Sequence, residues 1–181
     1  MEQLWTPWRM PYLKGPKPES CIFCQKVQAA DDRAVHVLTR GRHGFVTLNL
    51  YPYNNGHLLI VPYAHVPSLE DLPSETLTDL MMLVSRSLTI LRAALQPHGF
   101  NLGVNIGEVA GAGVSDHVHI HVVPRWQADT NFISIVAATR IIPEWIDDTY
   151  ERLVEAQAKL VAEGRLPPLD FQKAASQCAP C

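Results

Sequence analysis

Residues 116–126 read DHVHIHVVPRW, with three histidines at alternate positions inside a run of valine and isoleucine. Successive side chains of an extended strand point to opposite faces. The pattern therefore predicts His117, His119 and His121 on one face and Val118, Ile120 and Val122 on the other. The aliphatic face suits a core. The other face gathers three imidazoles, each able to carry a lone pair, a proton or a metal ion near neutral pH.

The sequence on either side of this strand gives the architecture. AVHVLTR (34–40) and GFVTLNL (44–50) read as strands joined by the turn GRHG (41–44). LYPYNNG (50–56) reads as punctuation, and HLLIVPY (57–63) as a third strand with a continuous apolar centre. Residues 73–99 carry apolar side chains at helical spacing (Leu77, Leu80, Met81, Val84, Leu88, Leu91, Leu95), with Ser74 as N-cap and Pro97 and Gly99 beyond the end. FNLGVNIG (100–107) and the histidine strand complete five strands. A second helix is expected from Pro143 to Glu163, ended by Gly164 and the Pro167–Pro168 pair. The expectation is an α+β fold, a five-stranded antiparallel sheet with a long amphipathic helix and a C-terminal helix packed against it. It divides into an N-terminal extension (1–20), a catalytic domain (21–142), and a C-terminal helix and tail (143–181) on the same domain.

Composition narrows the function. The chain has 181 residues, 47% of them hydrophobic, and a formal net charge of -3, which fits one globular domain and offers no basic stripe for a nucleic-acid polymer. There is no signal-peptide pattern and no uninterrupted apolar run of bilayer length, so a cytoplasmic protein without a membrane partner is expected.

The triad alone admits two chemistries. Three imidazoles can bind a metal ion with an open position for water, or one can act as a nucleophile with its neighbours orienting it. The preceding loop, NIGEVAGAGVSD (105–116), favours the second. Gly107, Gly111 and Gly113 permit the backbone angles that aim several N–H groups at one anion, and a phosphate suits such a loop.

HVHIHVV (117–123) resembles the His-φ-His-φ-His-φ-φ signature (φ hydrophobic) of the histidine triad superfamily of nucleotide hydrolases and transferases. LNLYPYNNGHLLIVPYAHV (48–66) is similar to that family's central hairpin, and NIGEVAGAG (105–113) stands in the place of its phosphate loop. The likeness runs from about Cys21 to Asn131. LWTPWRMPYL and VVPRWQADTNF resemble the bacterial branch that includes diadenosine tetraphosphate phosphorylases. The resemblance implies that His119 attacks the α-phosphorus of a nucleotide and becomes a covalent nucleotidyl-imidazole, with His121 and His57 supporting it. The backbone near Gly113 and Val114 would then stabilise phosphoryl charge. Asn49 and Asn105 match positions near the sugar and phosphates, although Asn49 reads equally well as a strand-end residue capping a turn. The loop departs from the family in holding Gly113 and Val114 where many members have Gln with Ser or Thr. If the strand begins early, Ser115 shares the His117 face and replaces the absent hydroxyl.

Cys21-X-X-Cys24 is a zinc half-site in need of two further ligands. The resemblance supplies His65 and His117, making a closed structural zinc site. The competing set joins Cys21 and Cys24 to Cys178 and Cys181. A homodimer is also implied, and Trp5, Trp8 and Trp126 would serve its contacts or lie in the core. Three functions thus stand: a diadenosine polyphosphate phosphorylase or hydrolase working through His119, a metal-dependent hydrolase in which the three histidines are ligands, and a nucleotide-binding adaptor with little turnover.

Overall fold

The computed structural model describes residues 20–129, 142 and 144–169 of the chain. The elements run α1 (Ile22–Gln28), β1 (Val37–Arg40), β2 (Gly44–Leu48), β3 (Leu58–Pro62), α2 (Ser74–Leu95), β4 (Gly99–Val104), β5 (Ile120–Arg125) and α3 (Ile146–Ala162). Single 3-10 turns lie at Leu69–Asp71 and Glu108–Ala110. The five strands form one sheet in the order β1-β2-β3-β5-β4, every neighbouring pair antiparallel. The expected α+β architecture is the one observed. Ser74 is the first helical residue rather than the cap, since Pro73 holds the cap position. α3 begins at Ile146, and Pro143 lies outside the described residues.

The sheet is covered on both sides, which explains why β3 is apolar at every position and buried throughout. On one side Val46, Leu58, Ile60, Val118, Ile120 and Val122 meet α2 (Leu80, Leu83, Val84, Leu91) and α3 (Tyr150, Leu153, Leu160) in the main core. On the other, Phe23 and Val27 of α1 pack on Val37, Phe45, Leu59, Val61 and Tyr63. α1 was not foreseen in the sequence. Trp126 packs against the main core, its indole N–H donating to Leu95 O at 3.3 Å. It is therefore a partly buried residue at the margin of the core, while Trp5 and Trp8 lie outside the described residues.

Register places the functional side chains. Leu48 pairs with Leu58, Thr47 with Leu59, and Leu59 with His121, so Thr47, Leu59 and His121 form one row across three strands on the α1 face. Gly56 (φ +70°) turns the chain into β3 one residue before His57. A side chain there would approach Leu95 Cδ1 to 2.4 Å, so the position combines a left-handed backbone with a close approach. Among the described residues no helix is long and apolar enough to cross a membrane.

Candidate active site and metal cluster

Regular pairing of β5 begins only at Ile120, yet the alternation starts earlier because the amide of Val118 donates to Val66 O at 2.8 Å and holds the preceding residues extended. Val118, Ile120 and Val122 enter the main core, and His117, His119 and His121 lie buried on the α1 face.

Each imidazole has a directional partner. His117 donates from Nε2 to Pro62 O (2.9 Å), which leaves Nδ1 as a lone pair 3.4 Å from Cys21 Sγ and 3.8 Å from Cys24 Sγ. His119 donates from Nδ1 to the carbonyl of His117 (2.9 Å), so its basic nitrogen is Nε2. The backbone N–H of Tyr53 donates to His57 Nδ1 (3.0 Å), with the Asn49 amide at 3.2 Å from the same atom. His57 must then carry its proton on Nε2 and donate to His121 Nδ1 at 3.0 Å. His121 in turn holds its proton on Nε2.

Burial sets the protonation states. Desolvation pushes His57 from 6.5 down to about 3, and the neighbouring His121 and His119 add to the depression. Desolvation pulls His117 down to about 4 against the opposing bond to Pro62. It also lowers His119 against its bond to the His117 carbonyl. The three rings are neutral at pH 7.

His119 and His121 line a cavity with Asn49, Asn105, Gly111, Gly113 and Val114 at one part of its wall. Ile22, Phe23, Lys26, Leu48, Leu50, Tyr51, Tyr53 and Leu59 complete it. Among the described residues no carboxylate lines this cavity, and the glycine loop passes through a left-handed Gly111 (φ +88°), which suits an anion more than a cation. Asn49 caps a turn, its side-chain oxygen accepting from Tyr51 N–H at 2.9 Å, and also borders the cavity. Ser115 does not border it; its hydroxyl donates to Asp116 at 3.2 Å, because the chain turns through residues 113–116 before becoming extended. His57 stands behind His121.

Sequence reasoning missed Lys26, Phe23 and Tyr53. Tyr53 stacks on His121 (centroids 5.6 Å, 12° between planes). Phe23 lies against both His117 (5.3 Å) and His119 (4.9 Å). An aromatic residue between the two cysteines was the available signal for it. Lys26 is buried with its ammonium bonded to Val35 O and to Thr47 Oγ1 (2.9 Å), and desolvation lowers it to about 8. Nothing in its sequence surroundings marks it.

Cys21, Cys24, His65 and His117 come together, their ligand atoms all within 4.8 Å of one another. His65 Nδ1 lies 3.4 Å from Cys24 Sγ. A tetrahedral ion with ordinary metal–sulfur and metal–nitrogen bonds separates its S and N ligands by about 3.6 Å, so these contacts match a metal-binding cluster. The His117–Pro62 bond is the outer-shell support that a ligating imidazole normally has. Cys178 and Cys181 lie outside the described residues. The three histidines do not converge on a common point. His117 is committed to the cysteines and Pro62, His119 to a carbonyl, and His121 to His57, which removes the reading of the triad as one metal site.

Residues 33–128 match the HIT domain. The chain belongs to the HIT family. Among curated HIT relatives, AP-4-A phosphorylase of Mycobacterium tuberculosis (strain ATCC 25618 / H37Rv) is 39% identical over 168 residues, covering 88% of this chain and 86% of that protein. Adenosine 5'-monophosphoramidase HNT1 of Saccharomyces cerevisiae is 33% identical, covering 64% of this chain and 73% of that protein. Among solved structures, a Zn-bound histidine triad family protein from Mycobacterium smegmatis aligns with a TM-score of 0.65 at 27% identity, over 80% of this chain and 97% of that one. The two curated relatives are nucleotide-cleaving enzymes by name.

The neutral HIT histidines make stability depend on pH. An unfolded chain takes up a proton at residue 57 near pH 6.5, the folded chain only near pH 3. Between these values the unfolded state binds more protons. The contribution of His57 is therefore complete above pH 6.5 and declines as pH falls, by up to about 1.4 kcal/mol per pH unit. Urea unfolding from pH 7 to pH 5 should show this decline, and His57→Asn should flatten it; parallel curves would contradict the assignment.

Proposed function

We propose that this protein splits the phosphoanhydride chain of a dinucleoside polyphosphate, diadenosine tetraphosphate first among them, by passing a nucleotidyl group through His119 to inorganic phosphate. The observation that carries the reading is the bond from His119 Nδ1 to the His117 carbonyl. It leaves Nε2 as the unprotonated nitrogen of a ring that borders a cavity with no carboxylate among its described lining, beside a glycine loop. The 39% identity to a protein named AP-4-A phosphorylase supports phosphate as the acceptor.

In this mechanism Nε2 of His119 attacks the α-phosphorus, the N–P bond forms and the P–O bond to the β-phosphate breaks, expelling ATP from diadenosine tetraphosphate. The positive charge that develops on the ring is stabilised through Nδ1–H by the His117 carbonyl. His121, its proton on Nε2, donates to phosphoryl or leaving-group oxygen, and His57 keeps it in that tautomer. Amides near Gly113 and Val114 meet the equatorial oxygens, an electrostatic contribution that commonly dominates such transfers. An oxygen of inorganic phosphate then attacks the same phosphorus, the N–P bond breaks, and ADP leaves with His119 neutral again. Asn105 and Asn49 orient the phosphates and sugar.

The metal of the Cys21, Cys24, His65 and His117 cluster is zinc in this reading. Two thiolates and two imidazoles form a donor set that suits it, and a closed four-ligand site acts structurally. It pins α1 to the sheet without activating water. The active form is a homodimer, supported by the outer edge of β4, where Asn101, Leu102 and Gly103 are exposed on a strand that, among the described residues, pairs only with β5. The protein works in the cytoplasm, where nucleotides are at hand and thiolates stay reduced.

Incubation with diadenosine tetraphosphate and phosphate should give ADP and ATP in equal amounts, whereas AMP with ATP would make water the acceptor. His119→Ala should cut turnover about 10⁴-fold or more while nucleotide still binds; full turnover in that variant would remove the nucleophile. Metal analysis of unchelated protein should find close to one zinc per chain. Cys21→Ser should lose it and melt about 5 °C or more lower, and a metal-free wild type would overturn the zinc assignment. Sedimentation should give twice the chain mass; a monomer at working concentrations would exclude the dimer.

A further inference from the structure

Lys26 is a buried cation that the reaction above does not use. Its two hydrogen-bond acceptors, Val35 O and Thr47 Oγ1, are both uncharged, and Thr47 spends its own hydroxyl proton on His36 O at 2.9 Å. An ammonium has three donors, so among the described residues one remains after these two bonds. Burying a cation among neutral partners is costly unless it meets a further acceptor, and Lys26 borders the same cavity as His119 and His121.

Register gives the distance. Thr47, Leu59 and His121 are successive partners in one row across β2, β3 and β5. The lysine's partner therefore stands two strand spacings, about 10 Å, from His121 on the same face. Leu59 lies between them, and Ile22 and Leu48 add apolar surface to the same cavity wall. A 5′-nucleotide with its α-phosphorus at His119 lays its base along such a wall. A purine reaches the far end with ring nitrogens that accept hydrogen bonds; a pyrimidine is shorter.

We propose that Lys26 is the base-reading residue of this site, its third ammonium hydrogen donating to a ring acceptor of a purine and so selecting purine over pyrimidine nucleotides. This rests on the nucleotide reading of the cavity but not on turnover. A positively charged donor at the end of an apolar slot discriminates because a base without an acceptor there leaves the ammonium buried and unmatched.

The test uses equilibrium binding of AMP, UMP and the 1-, 3- and 7-deaza analogues of AMP to the full-length wild type and to Lys26→Met. Wild type should bind AMP about 10-fold or more tighter than UMP, the scale of one bond from a charged donor. One deaza analogue should lose a similar factor. Lys26→Met should bind AMP, UMP and that analogue with nearly equal affinity. If the variant weakens every ligand by the same factor, or wild type does not distinguish AMP from UMP, the proposal is overturned and Lys26 merely ties α1 to the sheet. Should Lys26→Met prove unstable, wild-type discrimination against the deaza analogues decides, because loss at none of the three ring positions leaves the ammonium no acceptor to read. Purine selection without any cleavage of diadenosine tetraphosphate would sustain this inference while removing the catalytic one.

Discussion

The site depends on the hydrogen bond from His119 Nδ1 to the carbonyl of His117. It converts a ring with two equivalent nitrogens into one with a defined basic nitrogen. The bond joins residues two apart in the same chain, so it is only as firm as the placement of His117. That residue is held at both ends of its ring, by Pro62 O on one side and by the cysteine pair on the other. The cysteines belong to α1 and its cap, and Phe23, between them, lies against both rings. The Cys21, Cys24, His65 and His117 cluster thus stands one residue and one aromatic contact away from the His119 ring, while His119 is not part of it.

The second pair of imidazoles follows the same logic by another route. His57 and His121 face each other at 3.0 Å with the His57 ring neutral, and two facing imidazoles leave the choice of tautomer open. The amide of Tyr53 closes it, since an N–H pointing at Nδ1 forces that atom to accept. A backbone group in the turn before β3 therefore determines which nitrogen of His121 carries a hydrogen. The Tyr53 ring, stacked on His121, keeps the plane of that imidazole in place. Histidines that were buried only as filler would not each have a directional partner.

How legible the protein was depends on the range of each signal. The alternation of histidine with aliphatic residues is local, and its two faces went where period two sends them. α2 is long enough for its 3.6-residue period to stand out. α1 has seven residues, too few for a period, and its helicity comes from docking Phe23 and Val27 on the sheet. Ser115 was misplaced because alternation was extended back into residues that turn. LYPYNNG was read as punctuation, which its turn residues justify, yet that reading concealed two tyrosines bordering the cavity. Lysine is among the residues least often buried, so the position of Lys26 inside the wall arises from tertiary packing alone. The two distant ligands of the cluster, His65 and His117, were reached through the family likeness; nothing in the spacing of Cys21 and Cys24 points 40 or 90 residues ahead.

β5 and the three residues before it present an aliphatic face and a histidine face on opposite sides. Val118, Ile120 and Val122 belong to the core shared with α2 and α3, and this burial sets the strand's register against β3. A slip of one residue would turn the histidines into that core and the aliphatic side chains into the cavity. The slipped state would bury three imidazoles away from Pro62, His57 and the cysteines, leaving polar nitrogens unmatched, and would also withdraw three apolar side chains from the core. Both losses act in the same direction. The hydrophobic side of the strand is therefore what aims the histidine side, and it turns His119 toward the cavity that the glycine loop borders.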